Sequence, residues 1–168
     1  MDYIHPYTSP LGPMTMASDG EVLIGLWFDD QARFAAALSP AHKQRDLPVF
    51  AQTAAWLDAY FRGKNPRELP PFRLRGTDFQ LAVWQLLLEI PYGKTATYGE
   101  VAGGLGSSAR AVGGAVGRNP ISILIPCHRV VGAGGKLTGY AGGLDRKIAL
   151  LELEGRKHSP ECKAVLCK

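Results

Sequence analysis

Pro66, Pro70 and Pro71 fall within KNPRELPPFRLRG (64–76) and divide the chain into two differently patterned parts. Proline fixes φ, removes a backbone donor and pushes the preceding residue towards extended conformations. Neither a helix nor a central strand runs through such a span, so it reads as a linker with a domain boundary near residue 76. The expected domains are 1–75, an N-terminal α/β domain, and 76–168, with 156–168 as a flexible tail.

Before the boundary the pattern is strand-like. PMTMA and EVLIGLWF flank SDG, and Asp19-Gly20 predicts a hairpin turn. AWLDAYFRG then sets Trp56, Leu57, Tyr60 and Phe61 on one helical stripe that Gly63 stops. After the boundary the pattern is helical. Thr77 and Gln80 carry a capping-box signature, and Phe79, Ala82, Val83, Leu86, Leu87 and Ile90 follow as a buried face that ends at Pro91. Thr97 with Glu100 starts a second helix in YGEVAGGL, and Ser108 caps a third in ARAVGGAVGRN. Two short helices about four residues apart resemble a helix-turn-helix. ISILIPCHRVV is an apolar, β-branched run, extended or buried. LDRKIALLELEG closes as a helix with Leu144, Ile148 and Leu151 inward and Gly155 at its end.

Composition narrows the class. With 46% apolar and 20% charged residues the chain is not disordered. No apolar run approaches the roughly 20 residues that cross a bilayer. MDYIHPYTSP has neither the basic nor the apolar region of a secretion signal, which predicts a cytoplasmic protein without a membrane partner. Cys127, Cys162 and Cys167 are an odd count without framework spacing, as expected of free thiols. The net charge of +4 lies entirely in residues 76–168, which hints at a polyanionic partner for that half.

The chemistry concentrates in IPCHRV (125–130). Cys127 is flanked by His128 as a base, Arg129 as a nearby positive charge and Pro126 as a backbone constraint. A thiol near its ordinary pKa of about 8.5 is mostly protonated at neutral pH, so a nucleophile needs such help. Adjacent side chains diverge, which makes a water-bridged relay from His128 more plausible than direct contact. A histidine used as a base needs an acceptor on its other nitrogen, and Glu154, Glu152 and Asp145 are candidates. A buried, inert thiol is the competing reading of Cys127. In the third helix, Gly113, Gly114 and Gly117 alternate with alanines, which suits close packing on another helix or close approach to a nucleic-acid groove. Arg110 then projects as a probe able to fill the gap left by an extruded base. GAGGKLTGYAGG has no nucleotide-binding glycine spacing and reads as a loop that wraps a flat ligand, with Tyr140 as its wall. His158, Cys162 and Cys167 match no common zinc spacing.

NPISILIPCHRVVGAGGKLTGYAGGLDRKIALLELEG resembles the active-site region of the O6-alkylguanine-DNA alkyltransferases, the methylated-DNA–protein-cysteine methyltransferases of bacterial type. RGTDFQLAVWQLLLEIPYGKTATYGEVAGGLGSSARAVGGAVGRNP resembles the rest of that family's catalytic domain, and TSPLGPMTMA its N-terminal domain. The resemblance implies an α/β (α+β) fold: a small N-terminal antiparallel sheet with helices, of ribonuclease-H-like type, and a mostly helical C-terminal domain. It implies a single, irreversible transfer of the alkyl group from O6-alkylguanine, with O4-alkylthymine as a further substrate, to Cys127, with the base flipped out of the helix. Within that scheme His128 activates Cys127 through a water, Glu154 orients His128, Asn119 braces the turn before the active-site segment, and Tyr98 donates to guanine N3 and crowds the 3′ phosphate. The carbonyls of Cys127 and Val130 accept from the guanine amino group. Tyr140 walls the pocket, the Ala141 N–H faces O6, and Val116 and Leu137 line the site. Arg110 takes the flipped base's place, while Ala109, Gly113, Gly114 and Arg118 lie on the helix that enters the minor groove of double-stranded DNA. No cofactor is implied, a monomer is expected, and no zinc is expected because residues 1–75 contain no cysteine. A non-catalytic lesion-binding protein of the alkyltransferase-like kind is the alternative, and those lack the cysteine.

Overall fold

The computed structural model describes residues 1–155. The tail reading, His158, Cys162 and Cys167 lie outside the described residues. Two compact units emerge among the described residues, one of residues 1–75 with 120–122, the other of residues 76–119 with 123–155. No helix among the described residues is long and apolar enough to cross a membrane.

The first unit is built on a four-stranded sheet: β1 (Asp2–Ser9), β2 (Gly12–Ser18), β3 (Leu23–Phe28) and β4 (His42–Gln44), in the order β3-β2-β1-β4. β1 and β3 pair antiparallel with β2, whereas β4 runs parallel to β1. β1–β3 form the expected antiparallel sheet, and the short β4 adds a parallel strand at its edge. Residues 29–41 supply the crossover that a parallel partner requires. β1 itself has no clear alternation, and its Pro6 weakens the strand signal. β4 covers only residues 2–4, so Pro6 sits where β1 has a free edge. The predicted hairpin forms between β2 and β3. Its loop is four residues long, and Asp19 Oδ1 accepts from the N–H groups of Glu21 and Val22, both at 3.0 Å.

β3 is buried at all six positions. Its outer edge is covered twice. Leu23 exchanges backbone bonds with Pro71 and Arg73, and Leu26 with Pro120 and Ser122, all at 2.9 Å. An edge strand that apolar needs such cover. A Cβ at Gly25 would stand 2.0 Å from the Trp27 ring, so only glycine fits beneath that indole. α1 (Pro48–Phe61) starts earlier than its sequence stripe, with Pro48 in the first turn, and buries Leu57 and Tyr60. Trp56 and Phe61 stay half-buried on its margin.

The second unit contains α2 (Asp78–Leu88), β5 (Ala96–Thr97), α3 (Tyr98–Gly103), α4 (Ala109–Val116), β6 (Val130–Val131) and α5 (Leu144–Leu153). The Thr77 capping box is complete: its hydroxyl accepts from Gln80 N–H at 3.2 Å, and Gln80 Oε1 accepts from Thr77 N–H at 3.0 Å. Val83, Leu87 and Ile90 are buried as expected, but Phe79 is exposed. Trp84 is buried in its stead, and its indole N–H donates to the Ala115 carbonyl at 2.9 Å, joining α2 to α4. Thr97 and Ser108 cap α3 and α4 by accepting from Glu100 and Ala111 N–H. β5 and β6 pair in parallel, which fixes the chain just after Cys127 against the start of α3. In α5, Leu151 is buried against Val131 and Leu137, with Leu144 and Ile148 packed beside them.

Candidate active site

Residues 119–128 are buried without interruption. Within that segment Ile123 holds φ at 72°, a conformation β-branched residues rarely adopt. Pro126, at φ −81° and ψ 63°, makes an inverse γ-turn in which Cys127 N–H donates to Ile125 C=O at 2.7 Å. A 3₁₀ turn over Cys127–Arg129 follows. The proline ring holds φ in the range this turn needs, so the sequence presets the backbone immediately before the thiol. Asn119 Nδ2 donates to the same Ile125 carbonyl at 2.8 Å, tying the residues just after α4 to the turn that carries Cys127.

The tight turn sends the Cys127 and His128 side chains in different directions. His128 is completely buried, and its Nε2–H donates to Glu154 Oε2 at 2.6 Å. That bond fixes the tautomer with Nδ1 as an acceptor, and Nδ1 has no protein hydrogen-bond partner among the described residues. Of the three carboxylates considered, Glu154 at the end of α5 reaches the imidazole, while Asp145 and Glu152 are exposed. Arg129 departs from its expected role beside the thiol. Its Nε and Nη2 donate to Glu154 at 2.7 and 3.1 Å, and Nη1 donates to Ile90 C=O at 2.8 Å. The Tyr92 ring lies 5.8 Å from the same guanidinium. Gly93 N–H adds a fourth donor to Glu154, at 3.3 Å.

The charge states follow from this packing. Burial alone raises the Glu154 carboxyl, but the His128 bond and charge, then Arg129, outweigh it and hold the group at about 2. Burial pushes His128 below its ordinary value against the pull of Glu154, so the imidazole is neutral at pH 7 with Arg129 balancing the carboxylate. Burial also raises the Cys127 thiol, an effect opposed by Asn119 and by the positive charge of Lys147. The resting site is a neutral thiol near a neutral base.

Cys127 opens onto a cavity of about 180 Å³ lined by Tyr98, Gly113, Val116, Gly117, Gly139, Tyr140 and Ala141. Tyr98, at the start of α3, is raised by burial and hydrogen-bonds Thr138. Val130 and Leu137 do not line this cavity: Leu137 packs with Val131 and Leu151 instead. On α4, Val112, Ala115 and Val116 face inward, while Ala109, Arg110 and Gly114 are exposed and Gly113 is half-buried; Arg118, just past the end of the helix, is also exposed. A Cβ at Gly113 or Gly114 would meet nothing nearer than 3.8 Å. Packing within the chain does not demand glycine at either position.

The profile of the 6-O-methylguanine DNA methyltransferase DNA-binding domain matches residues 78–156, and that of the ribonuclease-like domain matches residues 3–75. The chain belongs to the 6-O-methylguanine DNA methyltransferase family. A methylated-DNA–protein-cysteine methyltransferase of Mycobacterium tuberculosis is 51% identical over 148 residues, covering 87% of this chain and 88% of the relative. That of Haemophilus influenzae is 45% identical over 156 residues, covering 90% and 86%. The crystal structure of M. tuberculosis OGT in complex with DNA superposes with a TM-score of 0.81 at 49% identity, covering 90% of this chain and 92% of that one.

For a member of this family, two features escaped the sequence reading. Lys147 lies on the apolar stripe of α5 with Leu144, Ile148 and Leu151, and is completely buried. A lysine at a core position of an otherwise regular stripe is the signal that could have found it. The second is charge. Residues 76–155 carry seven Lys/Arg against six Asp/Glu, so three of the four excess positive charges fall in 156–168, outside the described residues. Arg129 and Lys147 are turned inward, whereas Arg110 on α4 and Arg118 just past its end are exposed.

Proposed function

We propose that this protein repairs alkylated double-stranded DNA by moving the alkyl group from guanine O6 to Cys127, once per molecule. The observation that carries this reading is a buried Glu154–His128 pair whose free imidazole nitrogen lies one residue from a thiol at the wall of a small cavity. In the reaction a bridging water takes the thiol proton to His128 Nδ1, and Glu154 stabilises the imidazolium that forms. Cys127 Sγ forms a bond to the alkyl carbon as the carbon–O6 bond breaks. The electron pair leaves on guanine, and the Tyr98 hydroxyl donates a proton to N3 so that the base departs neutral. The tyrosine is then reprotonated at the expense of the imidazolium, so the thiol proton ends on guanine and a thioether remains. The thioether has no leaving group of comparable quality, which makes the step irreversible.

The remaining roles follow the same scheme. The Ala141 N–H faces O6, Tyr140 walls the base, and the Cys127 carbonyl accepts from its amino group, whereas the Val130 carbonyl is engaged by Lys147 away from the cavity. α4 enters the minor groove, where its uncrowded glycines allow the backbone close to the sugars, and Arg110 fills the stack behind the flipped nucleotide. The protein acts as a cytoplasmic monomer without a cofactor. The presence of Cys127 argues against a lesion-binding role alone. The test is mass spectrometry after mixing with duplex carrying O6-methylguanine. One methyl group should appear on the peptide containing Cys127, with one lesion removed per protein. Cys127→Ala should still bind the lesion without repairing it. Repair beyond one equivalent, or an unmodified Cys127 beside repaired DNA, overturns the reading.

A further inference from the structure

Lys147 has an ammonium where the α5 stripe calls for a leucine. The side chain is completely buried, and Nζ donates to the carbonyls of Val130 at 2.6 Å, Thr138 at 3.0 Å and Gly139 at 3.3 Å. An ammonium has three donors, and three carbonyls converge on it. Burying such a charge is costly without full hydrogen bonding, so the site is built around it.

The three carbonyls belong to two different walls. Val130 follows the turn that carries Cys127 and His128. Thr138 and Gly139 belong to the loop that runs on into Tyr140 and Ala141, and Gly139, Tyr140 and Ala141 line the cavity. Thr138 also hydrogen-bonds Tyr98, which lines the cavity from α3. We infer that Lys147 is a positioning residue for the departing base: it clamps the 138–141 wall to the nucleophile segment, and so sets the Tyr98 hydroxyl and the Ala141 N–H at fixed distances from the sulfur. This rests on the reading that the cavity holds the alkylated guanine. Without the clamp the sulfur and its imidazole stay in place, because Asn119 and Glu154 hold them, while the donors that stabilise the leaving group drift. Displacements near 1 Å cost up to about a hundredfold in rate.

The test compares two electrophiles on wild type and Lys147→Met. O6-Benzylguanine needs its leaving base stabilised, whereas iodoacetamide loses iodide unaided and reports the sulfur alone. Single-turnover rates are followed by mass on the Cys127 peptide. Transfer from O6-benzylguanine should fall at least about tenfold more than iodoacetamide labelling, whose own fall measures the loss of the Lys147 charge from the thiol. Equal losses on both reagents, or no loss on either, overturn the inference. An unfolded variant would label faster with iodoacetamide because the thiol becomes exposed. In that event Lys147→Gln, which keeps an N–H donor, carries the comparison with a smaller selective loss expected, and an unselective change there overturns the inference too. If wild-type protein takes nothing from O6-benzylguanine, the same comparison runs on duplex carrying O6-methylguanine, and if no methyl group is transferred there either, the alkyl-transfer reading itself fails, independently of Lys147.

Discussion

Replacing Glu154 with glutamine changes one oxygen into an amide nitrogen. A carboxylate offers four acceptor sites, and Gly93 N–H, two Arg129 N–H groups and the His128 Nε2–H all point at this one. Glutamine offers two acceptor sites, and its NH₂ must face either Gly93 and Arg129 Nε or His128 and Arg129 Nη2. Two bonds are lost whichever way it turns, at about 1.5–3 kcal/mol for each that is charge-assisted, and Arg129 keeps its charge with no carboxylate beside it. We expect Glu154→Gln to lower the unfolding free energy by about 3–5 kcal/mol, the range seen when one member of a buried pair is removed. The carboxyl's pKa of about 2, against 4.5 for an unperturbed group, corresponds to a comparable preference of about 3 kcal/mol for the charged form. Urea unfolding at pH 7, read by tryptophan fluorescence, measures the loss. The same carboxyl dictates a pH dependence. In the unfolded chain it takes up its proton near pH 4.5, whereas in the folded protein it resists until about pH 2. Stability from this group is thus present above pH 4.5 and is lost as pH falls towards 2, and the glutamine variant should lack that part of the slope. Methyl transfer should also slow by about a hundredfold or more, since the imidazolium loses its counter-charge and, with the NH₂ turned towards His128, the tautomer with Nδ1 free is no longer held. A stability change below about 1 kcal/mol with normal transfer would refute the idea that Glu154 organises the site.

Two further outcomes separate DNA handling from chemistry. Arg110→Ala should slow repair of O6-methylguanine in duplex at least about tenfold more than reaction with free O6-benzylguanine, because only the duplex requires base extrusion; equal effects in single-turnover assays count against the intercalating role. Gly114→Ala should act in opposite directions on fold and function. It adds a methyl group to an exposed position whose nearest neighbour is 3.8 Å away, and should raise stability by about 0.5–1 kcal/mol in thermal melts while weakening duplex binding in titrations at fixed salt. Unchanged affinity would remove the case for close approach of α4 to DNA.

Much of this protein is legible in short-range spacing. The caps at Thr77, Thr97 and Ser108, the stops at Pro91 and Gly155, and the hairpin at Asp19-Gly20 each involve residues a few positions apart, and the backbone bonds that form are those between such neighbours. The adjacency of Cys127 and His128 likewise dictates, before any fold exists, that the two side chains diverge and that a bridge is needed between them. What tertiary structure alone decided depends on contacts between residues far apart in the chain. Glu154 could not be told from Glu152 and Asp145 by spacing, because all three lie on or beside one helix and only its docking shows which carboxylate reaches an imidazole 26 positions away. Arg129 turned from the thiol to that carboxylate for the same reason. Leu137, expected in the pocket, packs with Val131 and Leu151, and Phe79 yields the core to Trp84, since helical periodicity marks a face but not what lies opposite it. Residues 120–122 joined the first unit's sheet because β3 had an open edge, a need that arises only once the sheet has formed. Lys147 is the sharpest case: in the sequence it is one more helix cation, and it becomes an internal clamp only where three carbonyls from two separate loops are brought to a single point.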